Sequence, residues 1–499
     1  MEQYIRRLAN CTLRNSSLAR QLLPERIGAA GCSKRVIVEY SSPNIAKPFH
    51  IGHLRGTLIG QCIANTQRAA GHHVTALNWL GDWGTQFGIL ARGWQEWPDE
   101  DRLAGPEPMH YLHELYVRAT MRSNFDPNFG AEARQMFHAM EMGDERLLTF
   151  WRRVRDISML NFNGLYDKLD VSFDETHSES MYAPKANTLV DEWLGKGTAI
   201  ESRNAVGVLP EVDRDDGFVT LRKSDGSTLY ITRDLAAVID RMDKYQSDRI
   251  LYVVDNEQSD HFVNIRRALT HAGLERAARA IEHVKCGRVE NMKSRLGKVF
   301  YAEDLLELAT KSAIPTVKKN MVVSGLTRNE MKRVATEMGR SAVAVNFLRE
   351  RRTARYDFMP KKAIDMKGDS GPYVQLAHAQ LCTLLLRQCE NDTEGVLTAW
   401  LSHPEMNTLD LYDESVRRLC AALSDYPIAL YKCYAEREPC HLVQYLFKLA
   451  RSSRSAFVSL RVGGEPEPIR IQRLTLFILA RNVLADCMKL VTLRPQEKV

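Results

Sequence analysis

Three parts follow one another between Val36 and Ala70, an apolar run, a proline-punctuated turn and a long helical pattern, and they restrict the fold more than any other stretch. Val36-Ile37-Val38-Glu39-Tyr40 is β-branched and apolar, as a buried strand requires. From Ile51 to Ala70, apolar residues at Leu54, Leu58, Ile59, Cys62 and Ile63 fit one face of a helix. Pro43 and Pro48 keep the chain out of helix until His50. A helix that starts here presents unpaired N–H groups and the positive end of its dipole, which attract phosphate. Gly52 allows a ligand close to that backbone, and His50 and His53 share a face of the first turn. An H-x-x-H pair alone also fits a capped surface helix or half of a metal site. Here no further Cys or His stands nearby at zinc-like spacing, and the order strand, turn, glycine, helix is the one that phosphate binding needs.

The alternation continues. Val74 to Leu80 predicts a second strand, ending at the turn Gly81-Asp82-Trp83-Gly84. Residues from about 100 to 200 interrupt the pattern, with an amphipathic helix over Arg134 to Leu169. Val219-Thr220-Leu221 and Leu229-Tyr230-Ile231 flank a turn at 224–227 and predict a hairpin; a helix over Asp234 to Asp243 and a buried strand over Ile250 to Val254 follow. From Leu305 onward the spacing is helical almost throughout. The fold class is therefore α/β, a Rossmann-like doubly wound parallel sheet with an insertion, followed by an all-α helical bundle. The expected divisions are an amino-terminal leader or remnant at 1–34, a sheet domain at 35–300, a helical linker at 301–365 and a helical domain at 366–499.

The chain of 499 residues is 44% hydrophobic and 26% charged, and no run approaches a membrane span. Its ten cysteines contain no C-x-x-C pair and read as reduced thiols in an intracellular compartment. The net charge of +6 is concentrated at the amino terminus, where Arg6, Arg7, Arg14, Arg20, Arg26, Lys34 and Arg35 face only Glu2 and Glu25. With Ile5, Leu8, Leu13, Leu18 and Leu22 on one side, the segment is compatible with a mitochondrial transit peptide or with an amphipathic structural helix.

His50-Ile51-Gly52-His53 resembles the HIGH motif of class I aminoacyl-tRNA synthetases. Ser41-Ser42-Pro43-Asn44-Ile45-Ala46-Lys47 before it, Leu54-Arg55 after it and Gly81-Asp82-Trp83-Gly84-Thr85-Gln86-Phe87-Gly88 resemble the arginyl-tRNA synthetases in particular. So do Tyr230-Ile231-Thr232-Arg233-Asp234, which is similar to the family's Y-x-T-R-D block, and Gly371 to Leu381, which is similar to the opening of its anticodon-binding domain. The likeness runs from about Val36 to the carboxyl end. It implies an arginine–tRNA ligase that converts L-arginine and ATP to arginyl-adenylate and then charges tRNA(Arg), with Mg²⁺ implied by the ATP chemistry, no membrane, and a monomer as the family expectation. The motif starts at residue 50, which leaves no room for the family's usual amino-terminal domain. A shortened mitochondrial matrix form fits, with the cytoplasm as the alternative.

The resemblance also assigns residues. His50, Gly52 and His53, with Lys293 and Arg295 of a mobile cationic loop, would carry the chemistry; Lys47 and Met292 would join them around ATP. That loop departs from the family pattern, since Asn291 stands where a lysine is usual. Glu39, Ser42, Pro43, Asn44, His53, Glu179, Tyr230, Asp234 and Gln258 would hold arginine, the acids because a guanidinium prefers a planar carboxylate. Arg351, Arg352, Tyr373, Gln375 and His378 would meet tRNA, as would the basic stretch from Cys440, with ten Lys and Arg against four acids. Small nucleotidyltransferases share an H-x-G-H helix start but give no reason for the helical carboxyl half. A non-catalytic RNA-binding relative is the remaining alternative.

Overall fold

A computed structural model describes residues 1–14, 16–27, 33–202, 204–210, 217–291, 300–324, 326–403 and 409–498, with backbone alone at 25, 26 and 320–324. Its strands are β1 (Arg35–Tyr40), β2 (His73–Leu80), β3 (Glu175–Ser178), β4 (Ile200–Ser202), β5 (Ala205–Val208), β6 (Val219–Arg222), β7 (Arg249–Asp255), β8 (Ile281–Cys286), β9 (Val289–Glu290) and β10 (Tyr356–Asp357). Five of them form one parallel sheet in the order β3-β2-β1-β7-β8. The chain winds outward from β1 to one edge and then from β7 to the other, so the cleft between their carboxyl ends is a topological switch point.

Alternation along β1 builds a core on each face. Val36, Val38 and Tyr40 pack with Leu54 and Leu58 of the helix Ile51–Ala69, while Ile37 packs with Leu235 and Val238 of the helix Tyr230–Tyr245 on the opposite face. The first of these helices lies so close that a Cβ on Gly60 would stand 2.2 Å from Tyr40 Cβ.

The expected helix over 134–169 is two helices, Pro127–Glu141 and Glu145–Leu169. Gly143 turns the chain at φ +90°, and the Asp144 carboxylate caps the second helix by accepting from the Arg146 and Leu147 N–H groups. The expected hairpin also differs. β6 pairs with β5, and the stretch after the turn meets β6 only near Thr228 before entering a helix at Tyr230. Tyr230 and Asp234 thereby stand one turn apart on a single helix.

The carboxyl half is a bundle whose longest members are Ala302–Ser324, Arg328–Leu348, Gly371–Cys389, Cys440–Ser459 and Glu467–Leu490. The amino-terminal segment folds into it as two helices, Glu2–Leu13 and Leu18–Ile27. Ile5, Leu8, Leu18 and Leu22 are buried in the core that contains the last helix. The Asp486 carboxylate accepts from Ser17 Oγ at 2.8 Å, the Ala19 N–H at 2.7 Å and the Tyr426 hydroxyl at 2.7 Å. Of the two readings of that segment, the amphipathic structural helix describes its packing. No described helix is long and apolar enough to cross a membrane.

Candidate active site

The turn after β1 is held in an unusual backbone shape. Ser41, Ser42 and Ala46 have φ of +80°, +50° and +62°, a region that side-chain-bearing residues occupy at some cost. The second block fixes it: the Gly81 N–H donates to the Pro43 carbonyl at 3.0 Å, the Ile45 N–H donates to the Gly81 carbonyl at 3.2 Å, and a Cβ on Gly81 would meet Asn44 Oδ1 at 2.1 Å. The two sequence blocks are thus one structure, with Pro43 serving through its carbonyl.

His50 caps the helix Ile51–Ala69, its Nδ1 accepting the Gly52 N–H at 3.1 Å. The protonated nitrogen of the neutral ring is then Nε2, a donor free for a phosphate oxygen. His53 stacks on it with centroids 3.8 Å apart. Burial, then the charge of Lys47, lowers His50 to about 4; burial, then His50 and Lys47, holds His53 well below its ordinary value. Both rings are therefore neutral donors at physiological pH. Lys47 lies 4.8 Å over the Tyr116 ring and supplies the positive charge beside them. Met292, Lys293 and Arg295 lie outside the described residues.

At the carboxyl ends of β1 and β7 is a cavity of about 660 Å³. Glu39, Ser42, Asn44, Glu179, Tyr230, Asp234 and Gln258 all line it, although they come from four separate stretches of chain. Ser42 Oγ is buried without a hydrogen-bond partner among the described residues. The acids are not equivalent. Glu39 is buried and paired with Arg241, Oε2 to Nη1 at 2.5 Å. Burial pushes the Glu39 carboxyl up and the Arg241 guanidinium opposes it. Glu39 thus lines the cavity with a resident guanidinium already on one of its oxygens. Glu179 is paired with Arg233 at 2.9 Å, and burial raises it to about 7 against the opposing charge of Arg233. Asp234 has a histidine as partner, Oδ2 standing 2.6 Å from His261 Nε2. The Tyr230 ring packs on that histidine at 4.8 Å.

Sequence reasoning missed Arg233, Arg241 and His261, and also Asp82. The buried Asp82 carboxylate accepts from the Ser180 N–H at 2.8 Å and Ser180 Oγ at 2.7 Å, which anchors the helix start that carries Glu179. Its place in the Gly-Asp-Trp-Gly block was the available signal. Arg55, immediately after the motif, is buried and donates to the carbonyls of Gly287, Ala354 and Arg351, each at 2.8 Å.

Among the expected RNA contacts, Arg351 is exposed, and Arg352 donates to the Lys285 carbonyl at 2.6 Å. Tyr373 is half-buried, with the Arg454 guanidinium 5.0 Å over its ring. Gln375 and His378 are corrected. Both are buried and hold the chain end, Gln375 donating to the Arg494 carbonyl at 3.0 Å and His378 Nδ1 standing 2.8 Å from the Gln496 carbonyl, so neither offers a side-chain group to RNA.

Residues 18–359 match the family model for the catalytic domain of class I tRNA synthetases (R). The chain belongs to the class I arginyl-tRNA synthetases. Residues 374–499 of this synthetase match the DALR anticodon binding domain. The cytoplasmic arginine–tRNA ligase of Saccharomyces cerevisiae is 34% identical over 476 residues, which cover 94% of this chain and 77% of that protein. The mitochondrial arginine–tRNA ligase of the same yeast is 32% identical over 475 residues, covering 93% and 72%. The crystal structure of arginyl-tRNA synthetase from Plasmodium falciparum shares the fold, with a TM-score of 0.78 at 21% identity over 95% of this chain and 78% of that one.

Proposed function

We infer that the protein is an arginine–tRNA ligase. The observation that carries this reading is the pairing pattern in the cavity. Resident guanidinium groups hold Glu39 and Glu179, while Asp234 lines the same cavity with, among the described residues, a histidine on one oxygen as its partner. A substrate guanidinium seated there completes a carboxylate pair of the kind the chain already makes twice. Tyr230 covers that seat, and Asn44 and Gln258 take the amino and carboxyl end near the nucleotide. Burying several paired polar groups rejects analogues that lack them.

In the first step a carboxylate oxygen of arginine attacks the α-phosphorus of ATP and pyrophosphate leaves. In the second a ribose hydroxyl of the terminal adenosine of tRNA attacks the carbonyl and AMP leaves. Neither step needs a protein nucleophile. His50 Nε2–H, His53 and Lys47 stand where phosphate oxygens gain negative charge, with the helix amino terminus behind them. Mg²⁺ enters as part of the ATP substrate, held by phosphates and water.

For tRNA, Arg351 and the Tyr373–Arg454 stack are the proposed contacts, and the chain acts as a monomer. For compartment, the cation-rich amino terminus supports the mitochondrial matrix, and the burial of Ile5, Leu8, Leu18 and Leu22 supports retention of that segment. Sequencing the mature amino terminus separates the two: a start beyond residue 27 sinks retention and supports import with cleavage. The activity itself is tested by exchange of pyrophosphate into ATP with each of the twenty amino acids, with and without tRNA. Exchange with arginine alone is expected, and its absence in folded protein under every condition favours the non-catalytic relative.

A further inference from the structure

His261 is assigned no role by the motifs, yet it is the side chain in closest contact with the acid that seats arginine. It lies near the start of the helix Ser259–His271 with 8% of its side chain exposed. The Tyr230 ring covers one face at 4.8 Å and Phe262 stands against it edge-on at 5.4 Å. Nε2 is 2.6 Å from Asp234 Oδ2, whereas Nδ1 is buried and has no hydrogen-bond partner among the described residues. The neutral ring satisfies this arrangement: Nε2–H donates to Asp234, and Nδ1 leaves only a lone pair unmatched. The doubly protonated ring would bury an unpaired N–H and would also cancel the Asp234 charge.

We propose that His261 is a positioning residue that orients Asp234 for the arginine guanidinium, and that protonation of His261 and binding of arginine exclude one another. This rests on the arginine–tRNA ligase reading. A guanidinium on Asp234 places a second positive charge beside the imidazole, so a bound substrate disfavours the proton, and by reciprocity the proton disfavours the substrate. The titratable groups around the pair are Asp260 on the same helix, Glu257 on the turn before it, Tyr230 on the facing helix, Glu39 on β1, Tyr252 on β7, Glu179 across the cavity and His283 of β8 behind Phe262. Arg241 and Arg233 neutralise Glu39 and Glu179 in place. The rival source of pH dependence is Glu179, raised to about 7 by burial, which would also lose its charge on acidification.

The test is the KM for arginine in pyrophosphate exchange from pH 5.5 to 8.5, in the wild type and in His261→Gln, with the KM for ATP measured in parallel. In the wild type the KM for arginine is expected to rise by up to about tenfold per pH unit on the acid side, while the KM for ATP does not follow it. His261→Gln keeps an N–H donor; its KM for arginine is expected to be about fivefold or more higher at pH 8.5, with a flatter acid slope. An unchanged slope in that variant assigns the titration to Glu179 and overturns the proposal. Calorimetry of arginine binding in two buffers of different ionisation enthalpy supplies a second check: proton release on the acid side that is lost in His261→Gln supports the coupling, and release that persists in the variant, or none in the wild type, contradicts it. Absence of arginine-dependent exchange at every pH overturns the ligase reading instead.

Discussion

The two sides of the cleft manage charge in opposite ways. On the proposed nucleotide side the ionisable rings are stripped of charge, because burial and the neighbouring Lys47 keep His50 and His53 unprotonated. On the proposed arginine side two of the acids keep partners of their own, Arg241 for Glu39 and Arg233 for Glu179. The difference follows from the ligands. A triphosphate brings its own metal and needs aligned donors, whereas a single guanidinium needs one available carboxylate among neighbours that do not compete for it.

Asp234→Asn strikes the arginine side hardest. Its expected cost is about 3–5 kcal/mol in kcat/KM for arginine, as for a buried pair that loses one charge, with the KM for ATP nearly unchanged. Equal loss on both substrates would dissolve the division. Arg241→Met tests whether the resident guanidinium serves the scaffold. Leaving Glu39 unpaired should lower unfolding free energy by about 3–5 kcal/mol in urea titrations, and the double variant Glu39→Leu/Arg241→Met should recover most of it. No recovery would mean that Glu39 has another partner. On the nucleotide side, His50→Ala should cost about 2.7–4 kcal/mol in kcat while the KM for arginine holds, as expected of a donor to developing charge; a shift in arginine KM alone would place His50 with the other half. The last effect is in stability against pH. The unfolded chain protonates His50 near 6.5 and the folded one only near 4, so stability falls as pH drops between those values. Thermal scans should show a shallower fall in His50→Asn.

Much of this was legible in sequence because the motif is local. Strand, proline turn and helix occupy one continuous stretch, and the backbone order alone predicts a phosphate site. Pairing between distant residues was not legible. Arg233 and Arg241 look like any solvated arginine on a helix until the fold brings them against Glu179 and Glu39. Gln375 and His378 misled for the converse reason: polar side chains on an amphipathic helix suggest exposure, and what buries them is a tail more than a hundred residues later. The break at Gly143 was present in the letters, a glycine followed by an aspartate that caps, but apolar spacing on both sides masked it.

That tail has a temporal consequence. Arg340 is buried with Glu337 and donates to the Leu169 carbonyl at 3.1 Å and to the Thr492 carbonyl at 2.5 Å, while Gln375 and His378 take their partners from residues 494 and 496. A ribosome makes those partners more than a hundred residues after the groups they hold. Until residues 492–496 leave the exit tunnel, these particular contacts stay open, so this part of the fold closes long after the helices that carry Arg340, Gln375 and His378 have been made.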